Sequence, residues 1–168
     1  MRTKLAFGFT AIAAMFLLTP PSKLRALGEE WASNHPQSAH ADAETRSIWA
    51  GVYTAEQAKR GEEVYTARCS LCHGDKLQGA EDAPSLVGKG FLTTWDGMPL
   101  GTLFEKTRKK MPQDNPGQLT RQQYLDVVSY VMSANKFPAG STELPQELEQ
   151  LKLIRIDAVK PAKTATSH

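Results

Sequence analysis

Five consecutive residues have the clearest chemistry in the chain: Cys69-Ser70-Leu71-Cys72-His73. Two thiols three residues apart on a helical turn can form thioether bonds with the two vinyl groups of one haem. The histidine that directly follows the second thiol is then held beneath the iron as an axial ligand. The string therefore predicts one covalent haem c, attached at Cys69 and Cys72, with His73 as a metal ligand.

Three other interpretations of this string stay open. A thiol-disulfide oxidoreductase would use Cys69 and Cys72, but a thioredoxin-like pair begins a helix after a strand, and here the thiols end a predicted helix in a chain with little strand signal. A zinc site would need a fourth ligand from a distant histidine or carboxylate. In the third interpretation, the two thiols and His73 have no chemical role.

An iron bound by His73 has either a second axial ligand or an open position, and the methionines are the candidates. Met132 lies within a predicted helix and is expected to pack in the core. Met98 follows His73 closely and enters a helix, whereas Met111 leaves a helix into a turn-rich loop. Met111 is therefore the predicted second metal ligand. An open iron position would instead indicate a haem enzyme or a gas sensor.

Three predicted helices position these residues. Thr54 and Gln57 have the spacing of a capping box, and a helical pattern follows them up to Cys69. A second helix is predicted over residues 100–110, and a third over residues 120–133, which also begins with a capping box. The thiol motif thus follows the first helix, and the candidate methionine ligand follows the second.

The segments between and after these helices lack sustained periodicity. Residues 74–97 contain many glycines together with Pro84, and they predict a long ordered loop of the kind that often wraps a ligand. Residues 112–117 predict a turn-rich loop. One more short helix after Pro145 is predicted by the spacing of Leu144, Leu148 and Leu151, and residues 153–159 are expected to be extended.

The amino terminus has the pattern of a secretory signal. Arg2 and Lys4 precede an apolar run over residues 5–18, which is shorter than the roughly twenty residues of a membrane-spanning helix. We expect a signal peptide over residues 1–26, with cleavage as late as residue 41, and a linker over residues 27–52. The chain is therefore predicted to be periplasmic, with no stable membrane insertion after cleavage.

Composition narrows the remaining possibilities. The chain has 168 residues, which fits one domain of ordinary size. It has 20 Lys and Arg against 18 Asp and Glu, so it lacks the basic excess that marks nucleic-acid-binding proteins. Its two cysteines are too close together for a loop-closing disulfide framework.

From about residue 51 to residue 140 the chain resembles a class I c-type cytochrome. Within that class it is most similar to the small cytochrome domains associated with quinoprotein (PQQ-dependent) dehydrogenases. Besides the haem motif, the resemblance rests on Gly61 and Tyr65 before it, Ala83-Pro84-Ser85-Leu86 after it, Met111-Pro112 with Asn115-Pro116-Gly117, the last-helix stretch Tyr124 to Val131, and the stretches Phe137 to Gly140, Leu144-Pro145 and Ile154-Arg155-Ile156.

The resemblance implies an all-α class I cytochrome c fold, with three main helices around one covalently attached haem. The cytochrome c domain would cover residues 53–140. A C-terminal extension over residues 141–160 would pack on that domain, and residues 161–168 would form a disordered tail. The first and last helices are expected to cross closely at Gly61.

The resemblance also implies roles for residues around the haem. The carbonyl group of Pro84 would accept a hydrogen bond from the His73 nitrogen that faces away from the iron, which would fix the ring. Tyr65 and Leu86 would contribute to the cofactor-binding pocket. Trp95 would either line the haem edge and reach a propionate or pack in the core.

Ligation by His73 and Met111 fills both axial positions, which favours electron transfer over catalysis. We therefore expect a one-electron carrier, not an enzyme, between a redox donor such as a quinoprotein dehydrogenase and a terminal acceptor. Four basic residues also crowd the second helix: Lys106, Arg108, Lys109 and Lys110. They predict a docking surface for an acidic partner, the alternative being a solvated helix face.

Overall fold

The computed structural model describes residues 44–80 and 83–162. These residues belong to one compact unit. The predicted signal peptide, most of the predicted linker and residues 163–168 of the predicted tail lie outside the described residues. No helix of the described ranges is long and apolar enough to cross a membrane.

The predicted all-α fold class is confirmed. In chain order, the described elements are strand β1 (Arg46–Ser47), a 3-10 turn (Ile48–Ala50), helices α1 (Ala55–Arg68), α2 (Ser70–His73), α3 (Gly88–Trp95), α4 (Leu100–Lys110), α5 (Arg121–Ala134) and α6 (Leu148–Lys152), and strand β2 (Ile154–Arg155). The described part therefore has six helices, where the sequence predicts three main ones and one short one. The three main helices are α1, α4 and α5.

Hydrogen-bonded caps set the start of two of these helices. At α5, Thr120 and Gln123 form the complete capping box that the sequence predicts. At α1, the Thr54 hydroxyl accepts a hydrogen bond from the backbone N–H of Gln57, but the Gln57 side chain does not complete the box. It is fully buried and accepts a hydrogen bond from the backbone N–H of Leu144 instead. The Gln57 side chain thus ties α1 to the segment that precedes α6.

The crossing of α1 and α5 depends on Gly61. A Cβ atom at this position would collide with the backbone carbonyl of Asp126 on α5. One turn along α1, the Tyr65 and Tyr130 rings pack with their centroids 5.3 Å apart. The close crossing that the resemblance implies is therefore present, and it repays the roughly 1 kcal/mol that glycine costs in a helix.

The expectation of a continuous loop over residues 74–97 is wrong at its end. Helix α3 occupies Gly88–Trp95 and buries Phe91 and Trp95 on one side. The glycines at positions 88 and 90 weaken the local helix signal. Burial of the two aromatic residues in the core outweighs that weak propensity.

The end of the predicted linker also differs from expectation. Ile48 and Val52 are buried in the core, and the indole N–H of Trp49 donates to the backbone carbonyl of Asp157. Strand β1 pairs in parallel with β2, which lies more than a hundred residues further along the chain. A two-residue strand with so distant a partner leaves no periodic signal in the sequence.

The segment after α5 returns to the core. Leu144, Leu151, Ile154 and Ile156 are buried, and α6 packs against α4. The predicted short helix is present as α6. Of the expected extended stretch, only Ile154–Arg155 is a strand.

Candidate functional site

A cavity of about 690 Å³ opens beside the Cys69 to His73 string. This volume falls in the range of roughly 300–1,000 Å³ that is typical of small-molecule and cofactor sites. The cavity is lined by every residue that the sequence singles out for a cofactor site: Tyr65, Cys69, Cys72, His73, Pro84, Leu86, Trp95 and Met111. Residues more than forty positions apart thus meet around one space.

The thiol motif forms its own short helix. Cys69 ends α1, and the backbone N–H groups of Cys72 and His73 both donate to the Cys69 carbonyl. This turn places both cysteines, which are free thiols, on the cavity lining. Leu71, between them, is 97% exposed, whereas His73 is buried. The motif therefore presents two thiols and one imidazole to the same cavity.

The loop after the motif orients His73. The Nδ1 atom of His73 lies 2.9 Å from the carbonyl oxygen of Pro84, as the resemblance implies. When Nδ1 carries the proton and donates it to that carbonyl, the lone pair of Nε2 is free to bind a metal ion. The backbone N–H of Gly79 also donates to the His73 carbonyl. His73 is thus held by one hydrogen bond at its ring and another at its backbone carbonyl.

Asn135, at the end of α5, holds the same loop from outside. Its amide nitrogen donates to the Leu86 carbonyl at 2.8 Å, and its amide oxygen accepts from the backbone N–H of Gly88. Sequence reasoning missed this residue. An asparagine just after a helix is also a common helix terminator, so its type alone gave no signal of a role at the cavity.

Met111 reaches the cavity from the end of α4. Its backbone N–H donates to the Thr107 carbonyl, and its own carbonyl accepts a hydrogen bond of 2.7 Å from the hydroxyl of Tyr124. Met98 is 39% exposed and Met132 is fully buried in α5, and neither lines the cavity. Of the three candidates, the structure places Met111 alone at the site.

Tyr124 is a second residue whose role was missed. The sequence places it on the apolar stripe of α5, and its ring is indeed buried. A buried tyrosine hydroxyl needs a hydrogen-bond partner. That requirement was the available signal, although only the fold shows that the partner is the backbone of Met111.

Trp95 and Lys106 form a pair on the cavity wall. Trp95 is 9% exposed, and the Lys106 ammonium lies 5.4 Å from the centroid of its ring. Of the four basic residues predicted to form a docking surface, Lys106 is the one that lines the cavity. Arg108 and Lys109 instead pair with the Glu105 carboxylate, at 3.6 and 2.7 Å.

The two thiols do not have the features of a redox-active pair. Burial, with a smaller effect of the nearby Cys72, raises the pKa of the Cys69 thiol to about 11. A reactive thiol has a lowered pKa, because the thiolate is the nucleophile. Cys69 also directly follows helix α1, whereas the first thiol of a thioredoxin-like pair follows a strand. Both observations argue against thiol-disulfide exchange.

A zinc site also finds no geometric support. Among the described residues, no three side chains of His, Cys, Asp or Glu converge as ligands of a metal ion. Cys69, Cys72 and His73 therefore do not surround one point, as tetrahedral zinc ligands do.

Residues 56–131 match the family model described as cytochrome C oxidase, cbb3-type, subunit III. The matched segment begins in α1, ends in α5 and contains both thiols, His73 and Met111. The match supports the c-type cytochrome part of the resemblance and says nothing of quinoprotein dehydrogenases.

Among solved structures, the sulfane dehydrogenase SoxCD from Paracoccus pantotrophus is similar to this chain, with 16% identity and a TM-score of 0.45. The similarity covers 95% of this chain and 73% of that chain. No curated protein matches the sequence significantly.

Proposed function

We propose that this chain is a one-electron carrier that holds a single covalent haem c in the cavity. The observation that carries the proposal is the meeting of Cys69, Cys72, His73 and Met111 on one cavity lining. The first three lie on one helical turn, while Met111 arrives from the end of another helix. Two thioether sites and two axial ligands are the complete donor set of such a centre.

The rest of the lining fits a haem. Leu86, Phe91, Leu103 and Val128 give the cavity a mainly apolar surface, which excludes water from a flat, apolar ring system. When bound, haem iron supplies a reversible one-electron couple, and ligation by methionine and histidine raises its reduction potential. The protein contributes the orientation of His73 through Pro84 and the placement of Met111 through Tyr124.

A carrier is favoured over a haem enzyme or gas sensor because Met111 lines the cavity. Such an enzyme or sensor needs an open coordination position for its substrate or gas. Met111 is held through both its backbone N–H, which donates to Thr107, and its backbone carbonyl, which accepts from Tyr124. We therefore infer that Met111 closes that position.

The proposed carrier works in the periplasm between a donor and an acceptor protein. The basic and apolar amino terminus, Arg2 to Leu18, supports export. Covalent attachment suits that compartment because it prevents loss of haem to the surrounding water. The proposed electron donor is a dehydrogenase of the quinoprotein type that the resemblance implies.

Haem extraction tests this function. The protein is produced in a host that attaches haem c and is then denatured in acidified organic solvent. We expect the colour to stay on the polypeptide and Cys72→Ala to lose at least one thioether bond. Leu71→Ala, an exposed position between the two thiols, is the matched control and should keep the haem. Colour that leaves the wild-type chain with the solvent would contradict the proposal.

A further inference from the structure

Lys106 is a cavity-lining cation without an acidic partner. The charged side chains among the described lining residues are Arg68, Lys106 and Asp114, apart from His73. None of the ion pairs found in the described ranges includes Lys106, although its helix neighbours Arg108 and Lys109 both pair with Glu105. A cation that faces a cavity and is not paired with a carboxylate of the protein is suited to bind one from a ligand.

The Trp95 ring holds this cation in place. The 5.4 Å separation from the ring centroid is within the roughly 6 Å over which an ammonium group is attracted to the face of an indole. Trp95 is itself fixed, since it is almost fully buried and packs against Phe91. Lys106 therefore has a preferred position, although its side chain is exposed to solvent.

The chemistry of the haem indicates what Lys106 would bind. A haem has two carboxylates on the edge opposite its vinyl groups, and thioether bonds would hold its vinyl edge at Cys69 and Cys72. Arg68 directly precedes Cys69 and so belongs to the thioether side, and Asp114 would repel a carboxylate. Lys106, which belongs to a different helix, α4, is the remaining cation of the lining.

We propose that Lys106 binds one haem propionate and that Trp95 positions its ammonium group. The inference rests on the proposed function, because it needs the haem. A charge-assisted hydrogen bond to a cation favours the ionised carboxylate and lowers the pKa of that propionate. The same positive charge disfavours the additional positive charge of the oxidised centre, so Lys106 raises the reduction potential.

The experiment compares four haem-loaded proteins: wild type, Lys106→Met, Lys106→Arg and Lys109→Met. The last variant removes the same charge from an exposed position three residues along the same helix. The midpoint potential is measured from pH 5 to pH 9, and redox-difference infrared spectra record the propionate carboxylate bands. Lys106→Met should lower the potential at neutral pH and shift a carboxylate band. The range in which the potential changes with pH should move to higher pH. Lys106→Arg should restore all three quantities to their wild-type values, and Lys109→Met should change none of them.

Two outcomes would overturn the inference while leaving the proposed function intact. In the first, Lys106→Met and Lys109→Met change the potential and its pH profile equally, which makes Lys106 an ordinary surface charge. In the second, Lys106→Arg leaves the profile as altered as Lys106→Met does, which assigns the change to packing instead of charge. Failure of the proposed function is separate, because wild-type protein would then show no covalent haem at all.

Discussion

Two walls of the cavity are built in different ways. The motif wall, residues 69–80 and 83–87, is held mainly by hydrogen bonds between residues close in sequence, such as His73 with Pro84 and Leu77 with Leu86. Asn135 adds a distant bond to the Leu86 carbonyl. The ligand wall, residues 88–111, is held by distant residues: Tyr124 binds the carbonyl of Met111, and the C-terminal segment binds the turn after Trp95. The motif wall therefore has local structure of its own, whereas the ligand wall depends on the rest of the fold.

The C-terminal segment is the main support of the ligand wall. The backbone of Ile156 accepts a hydrogen bond from Gly97 and donates one to Met98, at 2.7 and 2.9 Å. The backbone N–H of Ala158 donates to the carboxylate of Asp96. These bonds fix the turn between α3 and α4, and so the positions of Trp95 and of the helix that leads to Met111.

Removal of the motif-wall ligand should have the largest effect on the site. His73→Ala takes away the axial imidazole while leaving both thiols, so we expect haem to attach but the low-spin spectrum to be lost. Optical spectra of the oxidised and reduced protein measure this. A low-spin spectrum identical to that of wild type would show that another residue binds the iron on that side.

Removal of Met111, the proposed iron ligand on the ligand wall, should alter the haem centre while leaving the motif wall intact. Met111→Ala should abolish the weak sulfur-to-iron charge-transfer band of the oxidised protein and lower the reduction potential, because methionine ligation raises it. Met98→Ala is the matched control, since Met98 does not line the cavity. The assignment would be reversed if Met98→Ala had the larger effect.

A change in the C-terminal segment should affect the two walls unequally. Ile156 is fully buried, and Ile156→Ala should lower the free energy of unfolding by about 2–5 kcal/mol. Because Ile156 supports the ligand wall, the sulfur-to-iron band should weaken on heating at a lower temperature than the low-spin spectrum that reports His73 ligation. Simultaneous loss of both signals would show that the two walls unfold as one unit.

Loss of one hydroxyl should produce a smaller change. Tyr124→Phe removes the hydrogen bond to the Met111 carbonyl and should cost about 1 kcal/mol of stability, with a measurable weakening of the sulfur-to-iron band. Tyr53→Phe is the control, because the Tyr53 hydroxyl also donates to a backbone carbonyl, that of Phe137, and Phe137, unlike Met111, does not line the cavity. Equal spectral effects of the two variants would contradict a positioning role for Tyr124.

The smallest expected effect concerns partner docking. Lys109→Glu combined with Lys110→Glu should slow electron transfer from the native donor at low salt and matter less at high salt, since salt screens charges over roughly 8–10 Å. Stopped-flow measurements across a salt series test this. Rates equal to those of wild type throughout would point to docking on another face, such as the apolar rim that includes exposed Leu71.

The same contrast explains how much the sequence could predict. Cys69, Cys72 and His73 form one contiguous string, and the cap of α5 has a three-residue signature, so both were predictable from local pattern. Helix α3 was not, because the burial of its aromatic residues in the core outweighs its glycines. The contacts of Asn135 and Tyr124 with the cavity segments were not predictable either, because they depend on how α5 crosses the molecule.

The central claim is that His73 and Met111 close both faces of one haem, so that the protein only carries electrons. The most direct test is to add carbon monoxide to the reduced wild-type protein and record the optical spectrum, with Met111→Ala as the open-site control. We predict that carbon monoxide leaves the wild-type spectrum unchanged and shifts the spectrum of Met111→Ala. The wild-type protein should also titrate reversibly with one electron. Rapid carbon monoxide binding to the wild-type protein would contradict the claim and favour a gas sensor or haem enzyme.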